Sequence, residues 1–193
     1  MKPIYSSTLI AALCLVLCLD VADAFQKPKR KSPARSKRSH VVHANPARPR
    51  QKPAANYGQY EFKLTTLDGK TIHLSDYAGK VVFVNIWAPW CGPCRTETPG
   101  FVKLYDQYKK KGFEIIGVAA NTNESDVRSF MQRYGVAWPI GLNDDIPVAY
   151  HTYGLPDSYL FSPDGSVLKQ FVGYTRDEVL RSFVDEALKD VKP

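Results

Sequence analysis

Two cysteines, Cys91 and Cys94, stand on either side of Gly92-Pro93, directly after Trp87-Ala88-Pro89-Trp90, where an apolar run stops abruptly. Paired thiols at this spacing suit two chemistries: reversible closure of a disulfide, or ligation of a soft metal by thiolate sulfur. Other reactive groups are sparse in the same part of the chain. His73 and His151 are the histidines that follow residue 56, and both are read as structural. His151 lies five residues before Pro156 and is the candidate third ligand if the cysteines were to hold Cu(I).

The flanking elements explain why Cys91 would be reactive. Val81 to Trp87 is an apolar, β-branched run broken only by Asn85, the pattern of a central strand buried on both faces. After the cysteines, Phe101, Leu104, Tyr105 and Tyr108 recur at helical spacing, and Gly112 closes the helix after Lys109-Lys110-Lys111. Cys91 is therefore predicted at a helix N-terminus, where unpaired N–H groups and the positive dipole end favour a thiolate. Pro93 fits the first turn, which has no use for its missing N–H, and Pro99 is expected to kink the helix further on. Cys94, one turn along, is near enough to close a disulfide.

The remaining pattern alternates strand and helix. Phe62, Leu64 and Leu67, then Ile72 and Leu74, flank Asp68-Gly69 and predict a short hairpin. Phe113 to Ala119 is a second apolar strand. Val127, Phe130, Met131 and Tyr134 make an amphipathic helix ended by Gly135. Tyr159 to Phe161 and Val167 to Val172 bracket Ser162-Pro163-Asp164-Gly165 as an antiparallel pair. Thr175-Arg176-Asp177-Glu178 has the form of a capping box, opening a last helix whose buried side would be Val179, Leu180, Phe183, Val184 and Leu188. The class is α/β, a mixed sheet covered by helices, with the cysteines at the C-terminal edge of a central strand.

Residues 1–24 have the layout of a secretory signal: Lys2, an apolar run from Ile4 to Leu19, and Ala22-Asp23-Ala24 as a cleavage site. That run of 16 residues is short of the ~20 that span a bilayer, which favours cleavage over an uncleaved membrane anchor. Cys14 and Cys18 lie within it as apolar filler. The basic residues that follow closely, Lys27 to Arg38, oppose easy export. Residues 25–56 are expected to be a linker rich in Lys, Arg and Pro, too poor in large apolar side chains to form a core. Ten Lys and Arg lie there, whereas residues 57–193 carry 15 against 17 Asp and Glu, so the formal +7 belongs to the linker. Such a tail is either a solvated spacer or a contact for polyanions, an anionic membrane surface among them. The absence of interleaved aromatic residues argues against nucleic acid, and His40 and His43, without a scaffold, are a weak metal signal.

Trp87 to Cys94, Gly154-Leu155-Pro156 before a strand, and the Asp164-Gly165 hairpin together resemble the thioredoxin superfamily over residues 60 to 190. The leading hairpin, the segment Asn121 to Tyr134 inserted between strand and helix, and Tyr134-Gly135-Val136 resemble its exported TlpA/ResA-like branch of thiol-disulfide oxidoreductases. The resemblance implies a thioredoxin-like fold over residues 57–193, with Cys91 as the attacking thiol, Cys94 as the resolving one and Trp90 as an aromatic cover. It implies that Pro156 is a cis-proline and that the backbone of Leu155 pairs with a bound substrate strand. Asp157-Ser158 replaces two threonines common in the family. The family's buried acid is here Asn85, and Glu124, in the inserted segment, falls where related reductases place a glutamate. Glu124 would then be partly buried and handle the proton of Cys94, or else be an ordinary acid at a helix N-terminus.

Thiol-disulfide exchange through the Cys91–Cys94 pair needs no organic cofactor and no metal. Once Cys14 and Cys18 leave with the signal these are the remaining cysteines, which argues against a structural staple. Gly92-Pro93 is the dipeptide of thioredoxin, so the expected direction is reduction of exported, periplasmic proteins, resupplied by an upstream thiol donor. Apocytochrome c, another oxidoreductase, a copper-site protein or an envelope protein would each be a suitable client. A copper(I) carrier using the same cysteines is the alternative from another class. A peroxiredoxin would need Thr or Ser three residues before its reactive cysteine, where Ala88 stands.

Overall fold

The computed structural model describes residues 55–191. The expected signal segment with Cys14 and Cys18, and the basic stretch to residue 54 with His40 and His43, lie outside the described residues. Among the described residues no helix is long and apolar enough to cross a membrane.

Lys63–Thr65 (β1) and Thr71–His73 (β2) pair antiparallel, with Leu64 opposite Ile72. The turn between them is closed by the Thr66 N–H donating to the Lys70 carbonyl at 2.8 Å, and Gly69 takes the positive φ of 81° that the Asp-Gly pair predicts. Leu74 is not part of the second strand; it starts a 3-10 turn, Leu74–Tyr77.

Val81–Trp87 (β3) is buried at all seven positions because both its edges and both its faces are covered. Phe113–Ala119 (β4) pairs with it in parallel and Asp157–Phe161 (β6) antiparallel. Ile140–Leu142 (β5) and Val167–Val172 (β7) form the edges, giving the order β5-β4-β3-β6-β7. Alternation along β3 divides the core. Val81, Phe83 and Trp87 pack with residues of Gly92–Tyr108 (α1), Glu124–Tyr134 (α2) and Asp177–Ala187 (α4). Val82, Val84 and Ile86 face Tyr57, Phe62, Leu64 and, from Asp145–Ala149 (α3), Ile146. Asn85 shares the first of these faces and so points towards α1.

α1 continues through Pro99 to Tyr108, after which Lys109–Lys111 forms a 3-10 turn and Gly112 exits at φ 93°. α2 starts at an Asn123 cap, whose side chain accepts from the Asp126 N–H at 3.0 Å, and ends at left-handed Gly135. Two expectations for the last helix are corrected. The capping box at Thr175 does not form, because Arg176 is the cap residue and the Thr175 N–H is taken by Glu97 at 3.1 Å. The buried stripe is Leu180, Val184 and Ala187; Val179 and Phe183 are partly exposed, Phe183 resting edge-on against Phe171.

β5 and α3 carry too few residues to show a period and have no sequence signature, yet β5 is where the hairpin docks. The Leu67 N–H donates to the Ile140 carbonyl at 2.8 Å, and Thr66 bridges to Gly141. A Cβ on Gly141 would collide with the Thr65 carbonyl oxygen and come within 2.7 Å of the Leu64 side chain. Gly141→Ala is therefore expected to lower unfolding free energy by about 1–3 kcal/mol, the range for overpacking. A shift of the urea midpoint to lower concentration would register it.

Candidate active site

β3 ends at Trp87, and the chain turns through Ala88 to Trp90 before α1 begins. Cys91 is the cap residue of α1, and Pro93 occupies its first turn. Cys91 and Cys94 form a disulfide, with Cα atoms 5.3 Å apart. Within it the Cys94 backbone N–H donates to Cys91 Sγ at 3.3 Å. The donor is one of the orphan N–H groups of the helix start, aimed at the first sulfur, which is where a thiolate would gain most from it. Both cysteines are buried, at 4% and 1% exposure, under a rim on which Trp90 is 61% exposed and Gly92 and Pro93 are exposed. The Trp90 indole N–H donates to the Asn121 carbonyl at 2.9 Å, tying this rim to the loop before α2.

The Leu155–Pro156 peptide bond is cis. Pro156 is buried and its carbonyl accepts from the Gly173 N–H at 2.8 Å, while the amide and carbonyl of Leu155 take no backbone partner among the described residues. The Asp157 carboxylate accepts from Thr152 Oγ1 at 2.9 Å and Gln170 Nε2 at 2.9 Å, so it holds the loop that leads into Pro156.

The expected partial burial of Glu124 is not found. Glu124 opens α2 on an exposed surface and pairs with Arg128 at 2.6 Å, and Arg128 also donates to the Leu67 carbonyl at 2.6 Å. Its position in the first turn, favoured by the helix dipole, accounts for it. The buried acid is Glu97, one turn beyond Cys94 on α1 and 5% exposed. Asn85 Nδ2 donates to it at 3.4 Å and to Ser158 Oγ at 2.9 Å, and the Thr175 N–H donates to its other oxygen. Burial pushes the Glu97 carboxyl up to about 7 against the opposing pull of those hydrogen bonds. Sequence reasoning missed it, although its place on the stripe Cys94, Glu97, Phe101, Leu104 and Tyr108 was a signal.

His73 is half exposed on the hairpin, 4.0 Å from Glu61, and His151 is exposed at φ 55°. Among the described residues no three His, Cys, Asp or Glu side chains form a group able to hold a metal, so His151 is not assembled with the cysteines as a copper site.

The family model described as Redoxin matches residues 52–188. The chain belongs to the redoxin family. Within it the chain is a thioredoxin-like thiol-disulfide oxidoreductase, similar to proteins named thiol-disulfide oxidoreductase ResA. That of Bacillus thuringiensis (strain Al Hakam) is 38% identical over 135 residues, covering 68% of this chain and 75% of the relative. That of Bacillus subtilis (strain 168) is 36% identical over 126 residues, 64% of this chain and 70% of the relative. Among solved structures, a thiol:disulfide interchange protein DsbE from Chlorobium tepidum superposes with a TM-score of 0.63 at 30% identity. It covers 70% of this chain and 97% of its own. The family match spans both sheets and the four α-helices.

Proposed function

We propose that this redoxin reduces disulfides of exported proteins through Cys91 and Cys94. The observation that carries the reading is the disulfide at the start of α1 with a helix N–H directed at Cys91 Sγ. In the reduced protein the Cys91 thiolate attacks one sulfur of a client disulfide. An S–S bond forms between Cys91 and the client, and the other client sulfur leaves as a thiolate that takes up a proton. The Cys94 thiol then gives its proton to the Glu97 carboxylate and attacks Cys91 Sγ, releasing the second client sulfur. Two electrons have passed to the client, and Cys91–Cys94 is left as the disulfide, to be reduced again by an upstream dithiol.

Glu97 suits the proton step, being buried one turn from Cys94 and poised near 7. Trp90 covers the pair, Gly92 and Pro93 leave the approach to it open, and the free backbone groups of Leu155 beside Pro156 offer an edge for a client strand. Residues 1–24 act as the export signal or an anchor and 25–56 as a basic tether in the periplasm. There residues 27–52 lie against an anionic membrane surface.

The Cys94→Ser protein, expressed in its own compartment, is expected to accumulate mixed disulfides on Cys91 that a reducing gel dissolves and mass spectrometry identifies. A variant that captured no partner, while the Cys91→Ser control behaved identically, would refute the exchange reading.

A further inference from the structure

A groove of about 280 Å³ opens beside the cysteines, between Trp90, Arg95 of α1 and the outer side of α2, where Asp126, Phe130, Arg133 and Tyr134 complete it. Two of its lining residues, Trp90 and Arg95, are the chain neighbours of Cys91 and Cys94, which sets the groove next to the segments that flank a client sulfur bonded to Cys91. One wall is fixed by the Trp90 indole bond to Asn121. The floor is aromatic: the Phe130 ring lies 4.4 Å from Trp87 on one side and 4.4 Å from Tyr134 on the other.

The charges in the groove are unbalanced. Arg95 and Arg133 are exposed, and neither joins an ion pair among the described residues. Arg128 on the same helix is, by contrast, held by Glu124. The one acid of the groove, Asp126, already accepts from Asn123 Nδ2 at 2.8 Å. A cation in the last turn of α2 is favoured by the helix dipole, which explains Arg133 without invoking a ligand. Arg95 has no such explanation: it lies just inside the positive end of α1, where the dipole opposes a cation.

We propose that this groove selects acidic client segments. A carboxylate near the client cysteine binds between the guanidinium groups of Arg95 and Arg133, and a neighbouring apolar side chain lies on Phe130 and Tyr134. The inference rests on the redox reading of Cys91 and Cys94 and names the clients that site prefers. Any general effect of Arg95 on the reactivity of Cys91 would speed reduction of every client alike, so it is separated from selection by comparing clients.

The test uses the reduced full-length chain and two disulfide-bridged peptides that differ only in Asp and Glu versus Asn and Gln beside the cysteines. At low salt the acidic peptide is expected to be reduced with about tenfold higher kcat/KM, the gap closing as ionic strength rises. The double variant Arg95→Glu, Arg133→Glu is expected to reverse the preference. Equal kcat/KM in the unmodified protein, or a preference that survives the double variant, overturns the inference. Reduction of neither peptide would overturn the redox reading itself, and the inference with it.

Discussion

Replacing Cys91 by Ala is expected to lower disulfide reduction by at least about 10³-fold, to the level of buffer thiols, with little effect on the fold of the reduced protein. The size follows from what is lost: no other cysteine among the described residues can attack from the start of a helix, and the covalent intermediate has no substitute route. Cys94→Ala should behave differently. It keeps the N–H of residue 94 that faces Cys91 Sγ, so the first attack proceeds and the protein stalls after one turnover as a mixed disulfide. Insulin reduction under steady-state conditions would find both variants inactive, whereas a single-turnover experiment with a chromogenic disulfide would separate them. Equal single-turnover rates for the two variants would show that Cys91 is not the attacking sulfur.

The second large effect concerns Glu97. Its folded-state carboxyl sits at about 7, above the ordinary value of 4.5, because burial outweighs its hydrogen bonds to Thr175 and Asn85. Between those two values the folded disulfide form holds a proton that the unfolded chain has released, so stability falls as pH rises through that window and levels off above about 7. At 1.36 kcal/mol per pKa unit the total is up to about 3 kcal/mol. Glu97→Gln should remove this contribution to the slope, while bringing one amide N–H up against a donor and losing a hydrogen bond. In the reduced protein the same variant lacks a group to take the Cys94 proton, so the resolving step is expected to slow about 10²-fold and the pH–rate profile to lose its inflection near 7. Urea titrations of the oxidised form from pH 4 to 8, run beside stopped-flow release of client thiol, test both halves. An unchanged pH–rate profile would remove Glu97 from the proton path.

The parts legible in the sequence are those written in local periodicity or in turn chemistry. β3 announces itself as seven residues with one polar interruption, α1 and α2 by their apolar spacing, and the hairpin by Asp68-Gly69. The cysteines stand out because Gly92-Pro93 fixes both their spacing and the start of a helix. What escaped depends on contacts between distant residues. Glu124 and Glu97 are both acids near a helix start, and nothing local says that one meets Arg128 in solvent while the other meets Asn85 and the Thr175 amide in the core. Thr175 has the spacing of a cap, yet its N–H serves that same carboxylate, 78 residues away in the chain. β5 is three residues long and is defined by its neighbours β4 and the hairpin rather than by any pattern of its own.

The three tryptophans divide into two settings. Trp87 and Trp138 are within the core at 3% and 5% exposure, whereas Trp90 is 61% exposed and directly precedes Cys91. A disulfide quenches a neighbouring excited indole, and a dissolved ion such as iodide reaches only an indole in contact with water. The chain therefore carries its own optical gauge of redox state: light emitted by Trp90 follows the making and breaking of the bond beside it. Trp87 and Trp138 belong to the same core cluster as both cysteines, so iodide, which reaches Trp90 alone, separates the exposed indole's part of the signal from theirs.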